Sequence, residues 1–175
     1  KHIKNMRKKV LSEISLYKGS INMPEGFEID REKLSKEILF NEVFKRPLVA
    51  PMKELDKIHS YVREFIRLDH SLHLINQQSW GCVFSPRDHV DNYLNLDLMD
   101  LRNQADYMMI YGVHVNDESL QIILEYDNNR RKSNNEKIIL HNNEFIIFPT
   151  TLRCSVLENT SNNSNIILNT FYEYI

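Results

Sequence analysis

The chain has 175 residues, of which 42% are hydrophobic and 26% are charged, and these values suit one globular domain spanning residues 1–175. A net charge of -2 and a pI near 6.4 argue against nucleic-acid binding. The sequence has no apolar run long enough to cross a membrane, and no secretory pattern follows the basic residues 1–10. With two cysteines, too few for a disulfide scaffold, we expect a cytoplasmic protein with no membrane association.

Two helices are predicted in the first 69 residues. Asp30 can cap a helix over residues 31–40. Residues 52–68 show the stronger pattern, because apolar side chains recur there every three or four residues. These side chains are Met52, Leu55, Ile58, Val62, Phe65 and Ile66. Residues 10–23 are compatible with a strand or a helix. We therefore interpret residues 1–69 as a helical extension.

Residues 70–175 are typical of an antiparallel β domain. Short apolar and β-branched runs alternate there with turn residues, as in a jelly roll. The predicted strands are residues 72–75, 80–84, 107–115, 120–126, 137–140, 144–148, 153–157 and 165–174. Leading helices followed by strands predict a mostly β (α+β) fold, with the N-terminal helices packed on the outer face of a β jelly roll.

Asparagine pairs predict tight turns, because asparagine tolerates a left-handed backbone. Residues 128–135 are predicted to form an exposed hairpin tip, where Arg130, Arg131 and Lys132 are solvated. Of the remaining polar candidates, His59 is expected at the edge of its helix and His114 as a cross-strand polar residue.

Three segments, in order, carry a resemblance to a known family. They are residues 80–88 (WGCVFSPRD), 111–115 (YGVHV) and 148–156 (FPTTLRCSV). Together they resemble the small, prolyl-hydroxylase-like Fe(II)/2-oxoglutarate-dependent oxygenases of marine bacteria and phages. The resemblance covers about the last hundred residues and implies a double-stranded β-helix, the cupin-like form of the jelly roll.

The resemblance also implies where functional residues should lie. Enzymes of this family bind Fe(II) through two imidazoles and a carboxylate, or a close variant. An arginine binds the distal carboxylate of 2-oxoglutarate. The matching positions hold Tyr93, Asn95 and Cys154 for the metal and Asn165 for the arginine. Because all four are substituted, we interpret them as vestigial ligand positions of a degenerate member, with no catalytic residue, no metal and no cofactor.

An alternative set of metal ligands would allow the chain to be an Fe(II)/2-oxoglutarate-dependent hydroxylase. His89 and Asp91 form an H-x-D pair, and His141 follows about fifty residues later, so the three could hold Fe(II) together with 2-oxoglutarate. Against it, His89 precedes the expected position and His141 lies before the strand that should carry the distal histidine. A solvated His and Asp in a charged turn is the preferred interpretation.

Two cysteines remain as candidate thiols, and both are better explained as small buried core residues. Cys82 lies on a predicted strand, and the neighbour of Cys154, Arg153, points to the opposite face of its strand. A reactive thiol would need an adjacent cation or helix N-terminus.

The predicted function is a non-catalytic double-stranded β-helix domain, a pseudoenzyme with a binding or assembly role. A protein partner or self-association fits this role, in the cytoplasm, or in the host cytoplasm or virion if a phage encodes the chain. The alternative is an Fe(II)/2-oxoglutarate-dependent hydroxylase with a non-standard metal-ligand set. Shared architecture alone cannot decide between them, because fold does not fix function.

Overall fold

The computed structural model describes residues 8–11, 13–91, 105–129 and 132–175. Within these residues the chain forms two helices and eight strands. In chain order they are β1 (Tyr17–Ser20), α1 (Arg31–Val43), α2 (Lys53–His70), β2 (Leu74–Phe84), β3 (Tyr107–His114), β4 (Gln121–Asn129), β5 (Lys132–Ile139), β6 (Glu144–Pro149), β7 (Arg153–Val156) and β8 (Asn165–Tyr174). The mostly β prediction is confirmed.

Helix α1 begins where the sequence predicts it. The Oδ1 of Asp30 accepts a hydrogen bond from the backbone N of Lys33 at 3.0 Å, which satisfies one of the donors that a helix start leaves unpaired. Leu34 and Ile38 form the buried face of the helix. A Cβ on Gly81 of β2 would collide with the side chain of Ile38, so this glycine allows α1 to approach the sheet closely.

Helix α2 confirms the predicted apolar stripe. It spans Lys53–His70, after an extended Met52 at its N-cap, and it ends at Ser71, whose φ is 53°. Four side chains of the stripe are buried, and a fifth, Phe65, is half-buried. The buried ones are Leu55, Ile58, Val62 and Ile66.

The larger sheet has five antiparallel strands in the order β1-β6-β3-β8-β2. The open question over residues 10–23 is resolved, since β1 pairs with β6. A Cβ on Gly19 would clash with the Phe145 ring across the pair, so glycine lets the ring lie against the backbone. The predicted helical extension therefore also contributes a strand. Residues predicted as two strands, 72–75 and 80–84, form the single strand β2, with a register shift between Asn76 and Ser79.

The smaller sheet has three strands in the order β5-β4-β7. The predicted hairpin is present, because β4 and β5 pair antiparallel up to Asn129 and Lys132. Its strands are longer than predicted, and Asn134 and Asn135 lie in β5 rather than in the tip. Arg130 and Arg131 lie outside the described residues, so the exposure of the tip stays a prediction.

Two apolar cores lie on opposite faces of the five-stranded sheet. Side chains alternate along each strand, so on β3 the odd-numbered Met109 and Tyr111 pack towards α1 and α2, and the even-numbered Met108 and Ile110 pack towards the three-stranded sheet. We call these faces the helix side and the inter-sheet side. Both helices therefore cover the outer face of the larger sheet, as predicted.

Within the described residues, neither helix has the length and apolar character needed to cross a bilayer.

Candidate functional site

Cys154 lies on β7, where it pairs with Leu124 of β4. Its side chain is fully buried on the inter-sheet side. Burial raises the pKa of the Cys154 thiol to about 12. A metal binds the thiolate rather than the thiol, so this apolar environment disfavours Cys154 as a ligand. The interpretation of Cys154 as a buried core residue agrees with this packing.

Asn165 begins β8 and is also buried. Its Nδ2 donates to the Oγ of Ser119 at 2.8 Å. Its Oδ1 accepts from the backbone N of Asn116 at 3.0 Å and from the Nδ2 of Asn116 at 3.1 Å. The amide therefore fastens the turn after β3 to the start of β8. A neutral amide held in this way offers no charge to a carboxylate.

Tyr93 and Asn95 lie outside the described residues, so the predicted proximity of Tyr93, Asn95 and Cys154 stays a prediction. The chain leading towards them is described as far as Asp91. Val90 exchanges two backbone hydrogen bonds of 2.9 Å with Val156 of β7. This bridge brings the chain after β2 onto the edge of the three-stranded sheet.

The alternative ligands His89 and Asp91 flank Val90. Val90 packs against the inter-sheet core, whereas His89 and Asp91 are exposed. Since side chains alternate along extended chain, the H-x-D pair points away from that core. His141 is exposed in the turn after β5, and its Nδ1 lies 3.1 Å from a Glu144 carboxylate oxygen. Across the part of the chain that the structure describes, no three His, Cys, Asp or Glu side chains form a group that could hold a metal ion.

The inter-sheet side also holds a small polar feature on β2 and β8. The ring of Trp80 lies 4.7 Å from that of Phe171. Between the strands, the Nδ2 of buried Asn169 lies 3.5 Å from the backbone O of Trp80 and 3.6 Å from the Sγ of Cys82. Cys82 is half-buried rather than fully buried as expected. This corner combines two aromatic rings with a neutral amide and a thiol.

The sequence analysis missed a buried polar network on the helix side. His59 is buried rather than at the helix edge. Its Nδ1 lies 2.8 Å from the hydroxyl of Tyr172, and its Nε2 lies 3.3 Å from the Oγ of Ser79. Ser79 in turn lies 2.8 Å from the Oγ1 of Thr170. Spacing could have revealed this, because His59 follows Leu55 by four residues and so shares the buried stripe of α2.

The pKa of His59 is lowered to about 4, chiefly by burial; Asp56 opposes this shift and Arg63 adds to it. The imidazole is therefore neutral near pH 7, with one ring nitrogen donating and the other accepting. Burial also raises the pKa of the Tyr172 hydroxyl. All four polar side chains of the network are satisfied by one another, which favours a role in fixing α2 to the sheet.

No family model matches the sequence, and no curated protein matches it either. Solved structures do match. A prolyl-4-hydroxylase from Pseudomonas putida has a TM-score of 0.61 at 9% identity, over 90% of this chain and 87% of that chain. The non-heme alpha-ketoglutarate-dependent carbocyclase SnoK from nogalamycin biosynthesis has a TM-score of 0.62 at 10% identity, over 91% of this chain and 79% of that chain. A 2OG-Fe(II) oxygenase family oxidoreductase from Burkholderia pseudomallei has a TM-score of 0.53 at 10% identity, over 73% and 62%.

These matches show that the chain has the fold of solved 2OG-Fe(II) oxygenases, and its place in that superfamily stays a prediction. They also correct one prediction. The expectation that no cofactor belongs to this chain is contradicted, because the similar proteins include enzymes named for Fe(II), 2OG and alpha-ketoglutarate. The described residues at the resemblance-derived positions nevertheless fit these cofactors poorly, since Cys154 is a neutral buried thiol and Asn165 is a neutral amide bound to Ser119 and Asn116.

Proposed function

We propose that this chain is a degenerate member of the oxygenase superfamily that uses the fold for binding or assembly rather than for hydroxylation. The observation that carries the proposal is Cys154. The resemblance assigns the distal histidine to this position, and here a thiol with a pKa raised to about 12 is packed into an apolar core. A lone thiol in such a position supplies neither the imidazole nor the charge that Fe(II) prefers.

Asn165 supports the same proposal. An arginine at the start of β8 would offer a planar, charged fork to a carboxylate. The amide at this position instead donates to the Oγ of Ser119 and accepts from the backbone N of Asn116. We further propose that the two sheets close into a double-stranded β-helix barrel, which the Val90–Val156 bridge at the edge of the three-stranded sheet favours.

A binding role is consistent with the outer surface of α1. Its second half exposes apolar side chains in addition to those facing the sheet, and exposed apolar patches often mark association sites. The exposed side chains are Leu39, Phe40, Val43 and Phe44. A protein partner or a second copy of the chain is therefore part of this proposal, whether a bacterium or a phage encodes the protein.

The proposal is tested by 2-oxoglutarate turnover. The purified protein is supplied with Fe(II), ascorbate, 2-oxoglutarate and air, and succinate is quantified. We expect succinate at the level of the protein-free blank, because Cys154 and Asn165 do not provide the ligand and the clamp. Iron content and anaerobic 2-oxoglutarate binding are measured on the same preparation.

Two variants make the result interpretable. Cys154→His places an imidazole at the distal position, and Cys82→His places one elsewhere on the inter-sheet side as a matched control. Catalytic succinate formation by the unaltered protein would overturn the proposal. Loss of that activity in His89→Ala, with the fold intact by circular dichroism, would instead support the ligand set of His89, Asp91 and His141.

A further inference from the structure

A cleft on the helix side separates the first turns of α1 from the ends of β3 and β8. Its volume is about 530 Å³, within the usual range for small-molecule sites. It is lined by Arg31, Glu32, Ser35, Lys36, Leu39, Val113, His114 and Ile166. Val113 and Ile166 belong to the helix-side core, whereas Cys154 belongs to the inter-sheet core. The five-stranded sheet therefore lies between this cleft and Cys154.

The cationic side chains of the cleft are held in different ways. The Nη1 of Arg31 donates to the backbone O of Val113 at 3.0 Å, which fixes the half-buried guanidinium against the end of β3. The Nζ of Lys36 lies 2.8 Å from a Glu32 carboxylate oxygen, and both of these side chains are well exposed. Arg31 is therefore the positioned cation, and Lys36 is largely compensated by its partner.

The apolar part of the cleft lies beside that guanidinium. Val113 and Ile166 are buried side chains at the strand ends, and Leu39 is 42% exposed on α1. A planar guanidinium binds a carboxylate through two parallel hydrogen bonds. Leu39 supplies the accessible apolar surface beside the guanidinium, and contact with hydrocarbon would remove that surface from water.

We propose that this cleft binds a small monocarboxylate with a short apolar tail, the carboxylate on Arg31 and the tail against the exposed side chain of Leu39. Of the charged side chains lining the cleft, Glu32 and Lys36 pair with each other, so Arg31 offers its charge to one carboxylate and none remains for a second. The inference is independent of the proposed loss of oxygenase chemistry, because it uses none of the residues on the inter-sheet side.

The probe is octanoate, titrated into the ¹⁵N-labelled protein and followed by amide chemical shifts, with affinity from calorimetry. We expect saturable shifts centred on Ser35, Val113 and Ile166, and little change at Cys154. Octan-1-ol tests the need for the charge, and suberate, a dicarboxylate of the same length, tests the preference for a single charge. Both should bind at least about tenfold more weakly than octanoate.

Arg31→Gln should weaken octanoate binding about tenfold or more, whereas the matched control Arg153→Gln, on β7, should leave it within about twofold. If Arg31→Gln fails to fold, Leu39→Glu gives the same test by placing a carboxylate on the exposed rim. Undiminished binding in the folded variant, shifts centred on the inter-sheet side, or no saturable binding of octanoate would each overturn the proposal.

Discussion

The two faces of the five-stranded sheet bury different kinds of side chain. The helix side buries a hydrogen-bonded set of polar side chains, in which His59 of α2 meets Tyr172 and Ser79 of the sheet. The inter-sheet side is built chiefly from aliphatic and aromatic side chains, and Cys154 is buried among them. Burial acts on both faces, but it leaves a neutral imidazole on one and a neutral thiol on the other.

The positions assigned to iron and co-substrate binding and the buried imidazole of His59 lie in different parts of the fold. Of the positions that the resemblance assigns to iron and co-substrate binding, Cys154 packs on the inter-sheet side, and Asn165 at the start of β8 fixes the turn after β3. Among the residues that the structure describes, the buried imidazole is His59, which lies on the opposite face and joins a helix to the sheet. A buried titratable group is therefore not by itself a sign of an active site in this protein.

The largest effect that tests this comparison comes from removing an aromatic side chain from the inter-sheet core. Phe148 is fully buried there. We expect Phe148→Ala to lower the free energy of unfolding by about 3–5 kcal/mol, because the lost contacts leave a cavity. Urea denaturation measures the change. Phe44→Ala is the matched control, since Phe44 is 60% exposed, and it should change stability by less than about 0.5 kcal/mol.

If Phe148→Ala costs no more than the Phe44 control, the inter-sheet side is not a packed core. Hydrogen exchange sharpens the test. Phe145, on the same strand, faces the helix side and lies 5.9 Å from the ring of Phe65 on α2. Phe145→Ala should therefore increase exchange in α2, and Phe148→Ala should increase it in β4.

The next effect concerns the pH dependence of the helix side. The pKa of His59 falls from 6.5 to about 4 on folding, so the unfolded chain binds a proton that the folded chain rejects. Its contribution to stability is complete above pH 6.5 and is lost as the pH falls towards 4. The shift corresponds to about 3 kcal/mol at most. Urea denaturation between pH 7.5 and 4.5 measures the loss of stability, because this range covers most of the interval between the two pKa values of His59.

His59→Gln removes the titration but keeps a polar side chain, so the loss of stability between these pH values should be smaller than in the unaltered protein. His89→Gln is the control, because His89 is exposed, and it should keep the full pH dependence. Equal slopes in His59→Gln and the unaltered protein would show that the network of His59, Ser79 and Tyr172 does not exclude the proton.

The smallest effect is a difference in thiol reactivity and involves no large change in stability. Cys154 is fully buried, and its pKa is raised to about 12, whereas Cys82 is half-buried. Alkylation needs the thiolate and access to it. With iodoacetamide at pH 8, Cys82 should therefore be modified before Cys154, as followed by mass spectrometry of Cys82→Ser and Cys154→Ser variants. Equal rates in the folded protein would contradict the packing of Cys154.

Much of the local structure could be predicted from the sequence because its causes are local. Asp30 caps α1 through Lys33, three residues away. The stripe of α2 follows from a spacing of three and four residues, and β8 has the predicted bounds, Asn165–Tyr174. The motifs around Trp80 and Cys154 also indicated the oxygenase fold, although the similar structures share only 9–10% identity with this chain.

Other features depend on residues that are far apart in the chain. Two predicted strands became the single strand β2 because β8 pairs along its whole length, with one register shift. Packing of Val90 against the inter-sheet core left His89 and Asp91 outside, which an H-x-D pattern cannot reveal.

The sequence by itself determined both helices, most of the strands and the mostly β fold class, because periodicity, capping and short motifs act within a few residues. Only the tertiary structure decided which polar side chains are buried and with what partners. His59 meets Tyr172 across 113 residues, and Arg31 meets Val113 across 82. Such contacts depend on the packing of helices against a sheet whose strands come from the whole chain, and this packing sets both the pKa of His59 and the cleft beside Arg31.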